Sequence, residues 1–221
     1  KAICFDIDGT IWDRKQWIPD SAREAFRRMK QQGHYLFICS GRTRVFIPDE
    51  LLMPLGFEGV LAGCGTYGEF QKEVKFYHRI PLKEIQRVNE ILRELGAAYI
   101  LEGRHLLYLD EERFSEKSSF SREIKKALGQ NVVRVTGNEE NLEVSKFCVN
   151  YMDDKQRQKE LEDRVGEDFT IIYREGTFME VVPKGFNKAT GIQEICRMLN
   201  IAPEETYSFG DSTNDLDMLK Y

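Results

Sequence analysis

The chain has 221 residues, 41% of them hydrophobic and 31% charged, and its 37 acidic against 32 basic residues give a net charge of −5. It is long enough to bury a sizeable core without staples, more than one domain of roughly 150 residues and less than two. An acidic balance argues against a nucleic-acid partner. No apolar run reaches the roughly 18 residues that span a membrane, and the first one, Ala2 to Phe5, is too short for a signal peptide and runs into Asp6.

In chain order, Ala2 to Phe5 predicts a short strand ending in acid. Ser21-Ala-Arg-Glu24 has the form of a capping box; Ala22, Ala25, Phe26 and Met29 follow at helical spacing, and Gly33 closes the helix. Tyr35 to Cys39 is a continuous apolar run of the kind found in buried parallel strands. Leu51 to Leu55 reads as a short helix and Gly59 to Ala62 as a strand. Thr66 to Ile80 then predicts a hairpin, and Ile85, Val88, Ile91, Leu92 and Leu95 a helix stopped by Gly96. Ala98 to Leu101 and His105 to Leu109 read as strands around Glu102-Gly-Arg104, followed by a helix marked by Phe120, Ile124, Ala127 and Leu128. Lys146 to Tyr151 reads as a strand and Asp154 to Val165 as a polar helix. Phe169 to Tyr173 and Thr177 to Val182 read as strands paired across Arg174-Glu-Gly176. Polar stretches at 111–119 and 136–141 read as solvated connections.

After Pro183 the α/β rhythm returns. Ala189, Ile192, Ile195, Cys196 and Leu199 line a helix, and Thr206 to Phe209 is a strand running into Gly210-Asp211. The fold class expected is therefore α/β, a Rossmann-like parallel sheet formed by residues 1–78 and 184–221, with an α+β domain of residues 79–183 inserted into it. The chain enters a strand at Lys1 and stops within a helical pattern at Tyr221, so the C-terminal part of the first domain is expected in further chain. The five cysteines, Cys4, Cys39, Cys64, Cys148 and Cys196, form no CxxC pair. They read as small buried hydrophobes of a reducing cytoplasm, with Cys64 in its Gly-rich turn the candidate for a reactive thiol. No feature sets an oligomeric state.

Three predicted strands end in acid or hydroxyl residues: Asp6-Ile-Asp8-Gly-Thr10, Ser40-Gly41-Arg42 and Gly210-Asp211-Ser-Thr-Asn214-Asp215. Ligands of a parallel α/β sheet bind outside the carboxyl ends of its strands, so these clusters are expected to converge. Several carboxylates together need a cation, and hard oxygens without nearby His or Cys select Mg²⁺, which keeps room for a phosphate. Lys188 opens the next helix, where an ammonium and backbone N–H groups can both face an anion. The residues alone thus point to Mg²⁺-dependent chemistry on a phosphate, with a carboxylate available as nucleophile.

Asp6-Ile-Asp-Gly-Thr10 resembles the DxDGT signature of the haloacid dehalogenase (HAD) superfamily. Phe37-Ile-Cys-Ser-Gly-Arg42 resembles its second motif, Lys188 the lysine of its third, and Gly210-Asp-Ser-Thr-Asn-Asp215 with Met218-Leu219 its fourth. The insertion between the second and third resembles the large α/β cap of the Cof-type phosphatases. The resemblance implies that Asp6 is the nucleophile, forming an aspartyl-phosphate, and that Asp8 is the general acid and base. It implies that Ser40, Gly41, Lys188 and Asn214 hold the phosphate, Asn214 either directly or by bracing Lys188. Mg²⁺ would sit on Asp6, the Asp8 carbonyl and Asp211, with Asp215 behind them or bound through water. The substrate implied is a small phosphate monoester, such as a sugar phosphate or a nucleotide- or vitamin-precursor-like phosphate. A phosphomutase of the same superfamily and a catalytically silent binding module are the alternatives. Arg42 is left between a substrate contact and an ion pair bracing its loop. Trp12 and Trp17 are left between the entrance of the site and packing, and Arg104-His105 between the site and a solvated hairpin tip. Ala62-Gly-Cys-Gly65 stands where relatives often carry Asn-Gly.

Overall fold

The computed structural model describes residues 1–110, 119–136, 139–150, 154–174 and 178–221. In chain order the elements are β1 (Ala2–Phe5), α1 (Asp20–Gln31), β2 (Tyr35–Cys39), α2 (Asp49–Leu52), β3 (Gly59–Ala62), β4 (Tyr67–Phe70), β5 (Glu73–Tyr77), α3 (Leu82–Glu94), β6 (Ala98–Glu102), β7 (Leu107–Asp110), α4 (Ser119–Leu128), β8 (Val132–Val135), β9 (Lys146–Asn150), α5 (Lys155–Val165), β10 (Phe169–Tyr173), β11 (Phe178–Pro183), α6 (Lys188–Leu199), β12 (Thr206–Phe209) and α7 (Leu216–Lys220). Residues 111–118 of the connection expected at 111–119, part of that at 136–141, and Tyr151, Glu175, Gly176 and Thr177 lie outside the described residues, while Ser119 opens α4 instead of closing that connection.

The chain divides into two compact units, Lys1–His78 with Phe186–Tyr221, and Arg79–Gly185. The first carries a six-stranded sheet in the order β12-β1-β2-β3-β4-β5. β12, β1, β2 and β3 are mutually parallel, and the hairpin β4–β5 extends them antiparallel. Both faces of β1 are buried: Ile3 and Phe5 pack with Phe26 of α1, Leu36 and Ile38, while Ala2 and Cys4 pack with Ala189, Ile192 and Ile195 of α6. A strand buried on both faces has no polar side to alternate with, which is why β1 and β2 read as unbroken apolar runs.

The second unit has its own six-stranded sheet, β10-β11-β9-β6-β7-β8, antiparallel except between β7 and β8. Its core joins Tyr99, Leu101, Phe147, Val149 and Val181 of the sheet to Ile85, Val88 and Leu92 of α3 and Leu161 and Val165 of α5. The chain thus has the mixed α/β architecture expected, with two details corrected. The predicted capping box Ser21–Glu24 does not form: the N-cap is Pro19, two residues earlier and with no side-chain cap, and Glu24 pairs with Arg27 and Arg28 instead. β8, Val132–Val135, is a strand the periodicity did not announce. Among the described residues no helix is long and apolar enough to cross a membrane, and all five cysteines are free and buried, Cys64 included.

Candidate active site

The pleat of β1 decides what Asp6 meets. Ala2 and Cys4 face α6, so Asp6 emerges on that side. There Lys188, the first residue of α6, donates from Nζ to Asp6 Oδ1 at 2.6 Å and to Asp215 Oδ1 at 2.5 Å. All three side chains are buried. Burial works against the ammonium, but Asp6 and the other neighbouring anionic groups outweigh it and hold the Lys188 pKa above its ordinary value. Burial likewise pushes the Asp6 carboxyl up, against the pull of Lys188. The ammonium is placed by its helix: Asn187 Oδ1 accepts from the Thr190 N–H at 2.9 Å, and Thr190 Oγ1 accepts from the Asn187 N–H at 3.0 Å. This reciprocal cap fixes the start of α6.

The loop after β12 is wrapped around Asp215. Its Oδ2 accepts from the backbone N–H of Asp211 at 3.1 Å and of Ser212 at 2.9 Å. A Cβ on Gly210 would lie 2.5 Å from Asp215 Cγ, so only glycine fits there. Asp211 is exposed, and its Oδ1 accepts from Thr10 Oγ1 at 3.1 Å. Gly9 has φ +87°, and a Cβ on it would lie 2.1 Å from Asp211 Oδ2. Glycine is thus required where the two loops meet. Ser40, at the end of β2, is buried, and its Oγ accepts from the Arg42 N–H at 3.2 Å. Asn214 accepts from Ser212 Oγ at 2.5 Å, while its Nδ2 is buried with no hydrogen-bond partner among the described residues. Lys188 is braced by Asp6 and Asp215. One oxygen each of Asp6, Asp211 and Asp215 lie within 4.8 Å of one another.

A family model described as haloacid dehalogenase-like hydrolase matches residues 3–221. The chain belongs to that family. YkrA of Bacillus subtilis (strain 168) is 27% identical over 222 residues, spanning 100% of this chain and 83% of that protein. The 5-amino-6-(5-phospho-D-ribitylamino)uracil phosphatase YcsE of the same organism is 28% identical over 223 residues, spanning 100% of this chain and 80% of its own. The solved structure of the HAD subclass IIB sugar phosphatase BT4131 superposes with a TM-score of 0.82 at 28% identity, over 99% of this chain and 84% of that one. The motifs and these relatives make the chain a Cof-type HAD hydrolase.

The residues of this HAD hydrolase suit a hard divalent cation. Asp6, Asp211 and Asp215 offer carboxylate oxygens, and the ammonium beside them leaves an excess of negative charge before any phosphate arrives. Cys39, buried beside Lys188, is not one of the candidate ligands. Its Sγ donates to the Lys188 carbonyl at 3.8 Å, and burial pushes the thiol up to about 12. Asp8 sends its carboxylate elsewhere, to a bidentate pair with Arg42. Trp12, buried, donates from Nε1 to the same carboxylate, whereas Trp17 is 62% exposed. Arg104 pairs with Glu143 at 3.0 Å within the second unit. The partners of Asp8 and the Asn187–Thr190 cap escape sequence reading. Of the first, Arg42 lies 34 residues from Asp8 and Trp12 meets it only through the turn after β1, and the second uses Thr where the capping pattern asks for Glu or Gln.

Proposed function

We propose that this HAD phosphatase is a Mg²⁺-dependent hydrolase of small phosphate monoesters that works through an aspartyl-phosphate on Asp6. The observation that carries the reading is the buried Asp6–Lys188–Asp215 contact at the carboxyl end of β1, with Asp211 within reach of the same cation. Asp6 Oδ attacks phosphorus as the bond to the leaving oxygen breaks, and Asp8 gives that oxygen its proton. Asp8 then takes a proton from the water that attacks the phosphorus of the acyl phosphate, which returns Asp6 as a carboxylate. Lys188, the Ser40 hydroxyl, the Gly41 N–H and the Asn214 amide hold phosphoryl oxygens, so that two anions can approach. Mg²⁺ held by Asp6, the Asp8 carbonyl and Asp211, with Asp215 behind them, would supply further charge neutralisation.

The first unit is the catalytic core in this reading, and residues 79–183 form the cap. The sugar phosphatase and ribitylamino-uracil phosphatase among the relatives support a polyhydroxylated organic phosphate as substrate. Hydrolysis of an aryl phosphate should require added Mg²⁺ and stop in EDTA. Asp6→Asn should lower kcat by about 10³-fold or more while the chain remains folded by circular dichroism. Activity retained by Asp6→Asn would refute the nucleophile. A stoichiometric phosphorylation burst without steady phosphate release would replace the phosphatase by a phosphomutase.

A further inference from the structure

The geometry points to Arg42 and Trp12 as positioning residues that aim the Asp8 carboxylate for proton transfer, an inference that rests on the reading of Asp8 as acid and base. Asp8 has a short side chain that is nearly half exposed, at 46%. Such a side chain ordinarily samples several staggered rotamers. Here three donors fix it. Arg42 Nε donates to Oδ2 at 2.7 Å, Arg42 Nη2 to Oδ1 at 2.8 Å, and Trp12 Nε1 to Oδ1 at 3.1 Å. A planar fork that meets both oxygens sets the plane of the carboxylate as well as its position.

The donors are themselves anchored. Arg42 Nη1 donates to the Phe46 carbonyl at 3.2 Å, and the guanidinium carbon lies 5.7 Å from the Trp12 ring centroid. Trp12 is 3% exposed, and its backbone is tied into the turn after β1: its carbonyl accepts from Gly9 and its N–H donates to Ile7. Nε, Nη1 and Nη2 of Arg42 each have a protein acceptor, which makes the side chain a bracket rather than an open hook for an anion. Its place in the chain adds a second function to the loop after β2. Ser40 accepts from the Arg42 N–H, so one short segment carries both the hydroxyl assigned to the phosphoryl group and the fork that orients the proton carrier. The segment thereby holds proton carrier and phosphoryl group in fixed register.

The test compares kcat/KM of the full chain with Mg²⁺ on a series from dinitrophenyl to phenyl phosphate, together with inhibition by inorganic phosphate. A misaimed proton donor harms the poor leaving group most. Arg42→Ala should lose about 10–100-fold on phenyl phosphate and far less on dinitrophenyl phosphate, with the phosphate Ki within about twofold of wild type. Arg42→Lys should recover only part of the loss, because one ammonium cannot span both oxygens, and it keeps the test open if the alanine variant does not fold. Trp12→Phe should lose a few-fold with the same leaving-group bias. An equal loss on all esters with a weakened phosphate Ki would overturn the inference and make Arg42 an anion contact, and unchanged kcat/KM would overturn it outright. Asp8→Asn separates the two levels. If it keeps the wild-type leaving-group profile, the acid–base reading fails. If it steepens the profile and the Arg42 variants do not, only the bracket fails.

Discussion

Lys188 carries two buried carboxylates on one ammonium, and the cost of removing it follows from that count. Lys188→Met would leave Asp6 and Asp215 facing each other without a counter-charge. Stability without metal should fall by about 3–5 kcal/mol in a denaturant titration, and added Mg²⁺ should return part of it. No loss would mean that the triad contributes nothing to the fold. Tyr99 makes a different kind of test. Its hydroxyl sits between Asn89 Oδ1 and Asp110 Oδ2, 2.7 Å from the latter, and Arg93 Nε donates to the same Asp110 oxygen at 2.6 Å. Burial, and then the Asp110 charge, push the phenol pKa up. A phenol that titrates higher folded than unfolded contributes stability that is complete below about pH 10 and is lost as pH rises through the folded value. Tyr99→Phe should therefore lower stability at neutral pH by about 1–2 kcal/mol and flatten its decline above pH 10. Identical alkaline slopes for wild type and variant would contradict this.

Helix α6 shows how an element delivers a residue. Its cap at Asn187 and Thr190 sets where Lys188 begins, and the loop after β3 is shaped to receive it: a Cβ on Gly65, whose φ is +88°, would lie 2.1 Å from the Asn187 carbonyl. Asn187→Ala should cost about 1 kcal/mol of stability and raise KM for an aryl phosphate, since the ammonium moves with the helix start; an unchanged KM would detach the cap from the site. Most elements of the chain are legible from sequence because each announces itself locally. The two-sided burial of β1, β2 and β12's run into Gly210-Asp211 need no knowledge of the rest of the chain. The exceptions have local reasons too. At α1, Pro19 starts the helix two residues before the Ser21 pattern would, which takes Glu24 out of capping reach and into the Arg27–Arg28 pair. At β8, four residues with a single polar side chain, Arg134, are too few for either period to emerge. Around Asp8, the acid is plain from its motif, but the arginine and tryptophan that hold it are a matter of tertiary geometry.

The hydrophobic core of the second unit shares no buried residue with the two clusters that flank the sheet of the first, which predicts two unfolding events. Asp6, Asp211 and Asp215 all belong to the first unit. In a calorimetric scan Mg²⁺ should raise that unit's transition, by about 2.7 kcal/mol at 100 times its Kd, and leave the transition of residues 79–185 in place. Asp211→Asn should abolish the shift. A single transition, or an equal shift of both, would show that the units unfold as one.

The chain leaves the first unit after His78 and re-enters it at Phe186, and those two rings lie 4.6 Å apart. Exit and entry are therefore neighbours, and a turn of a few residues, at about 3.3–3.6 Å each, would bridge them. Because the entropy of closing a loop grows only logarithmically with its length, going from 10 to 100 residues between exit and entry costs the first unit only about 2 kcal/mol. His78 and Phe186 thus mark a graft point. Insertions of different size and sequence can be exchanged at this position without changing the strands of the first unit, which gives a lineage a way to vary one unit while keeping the other.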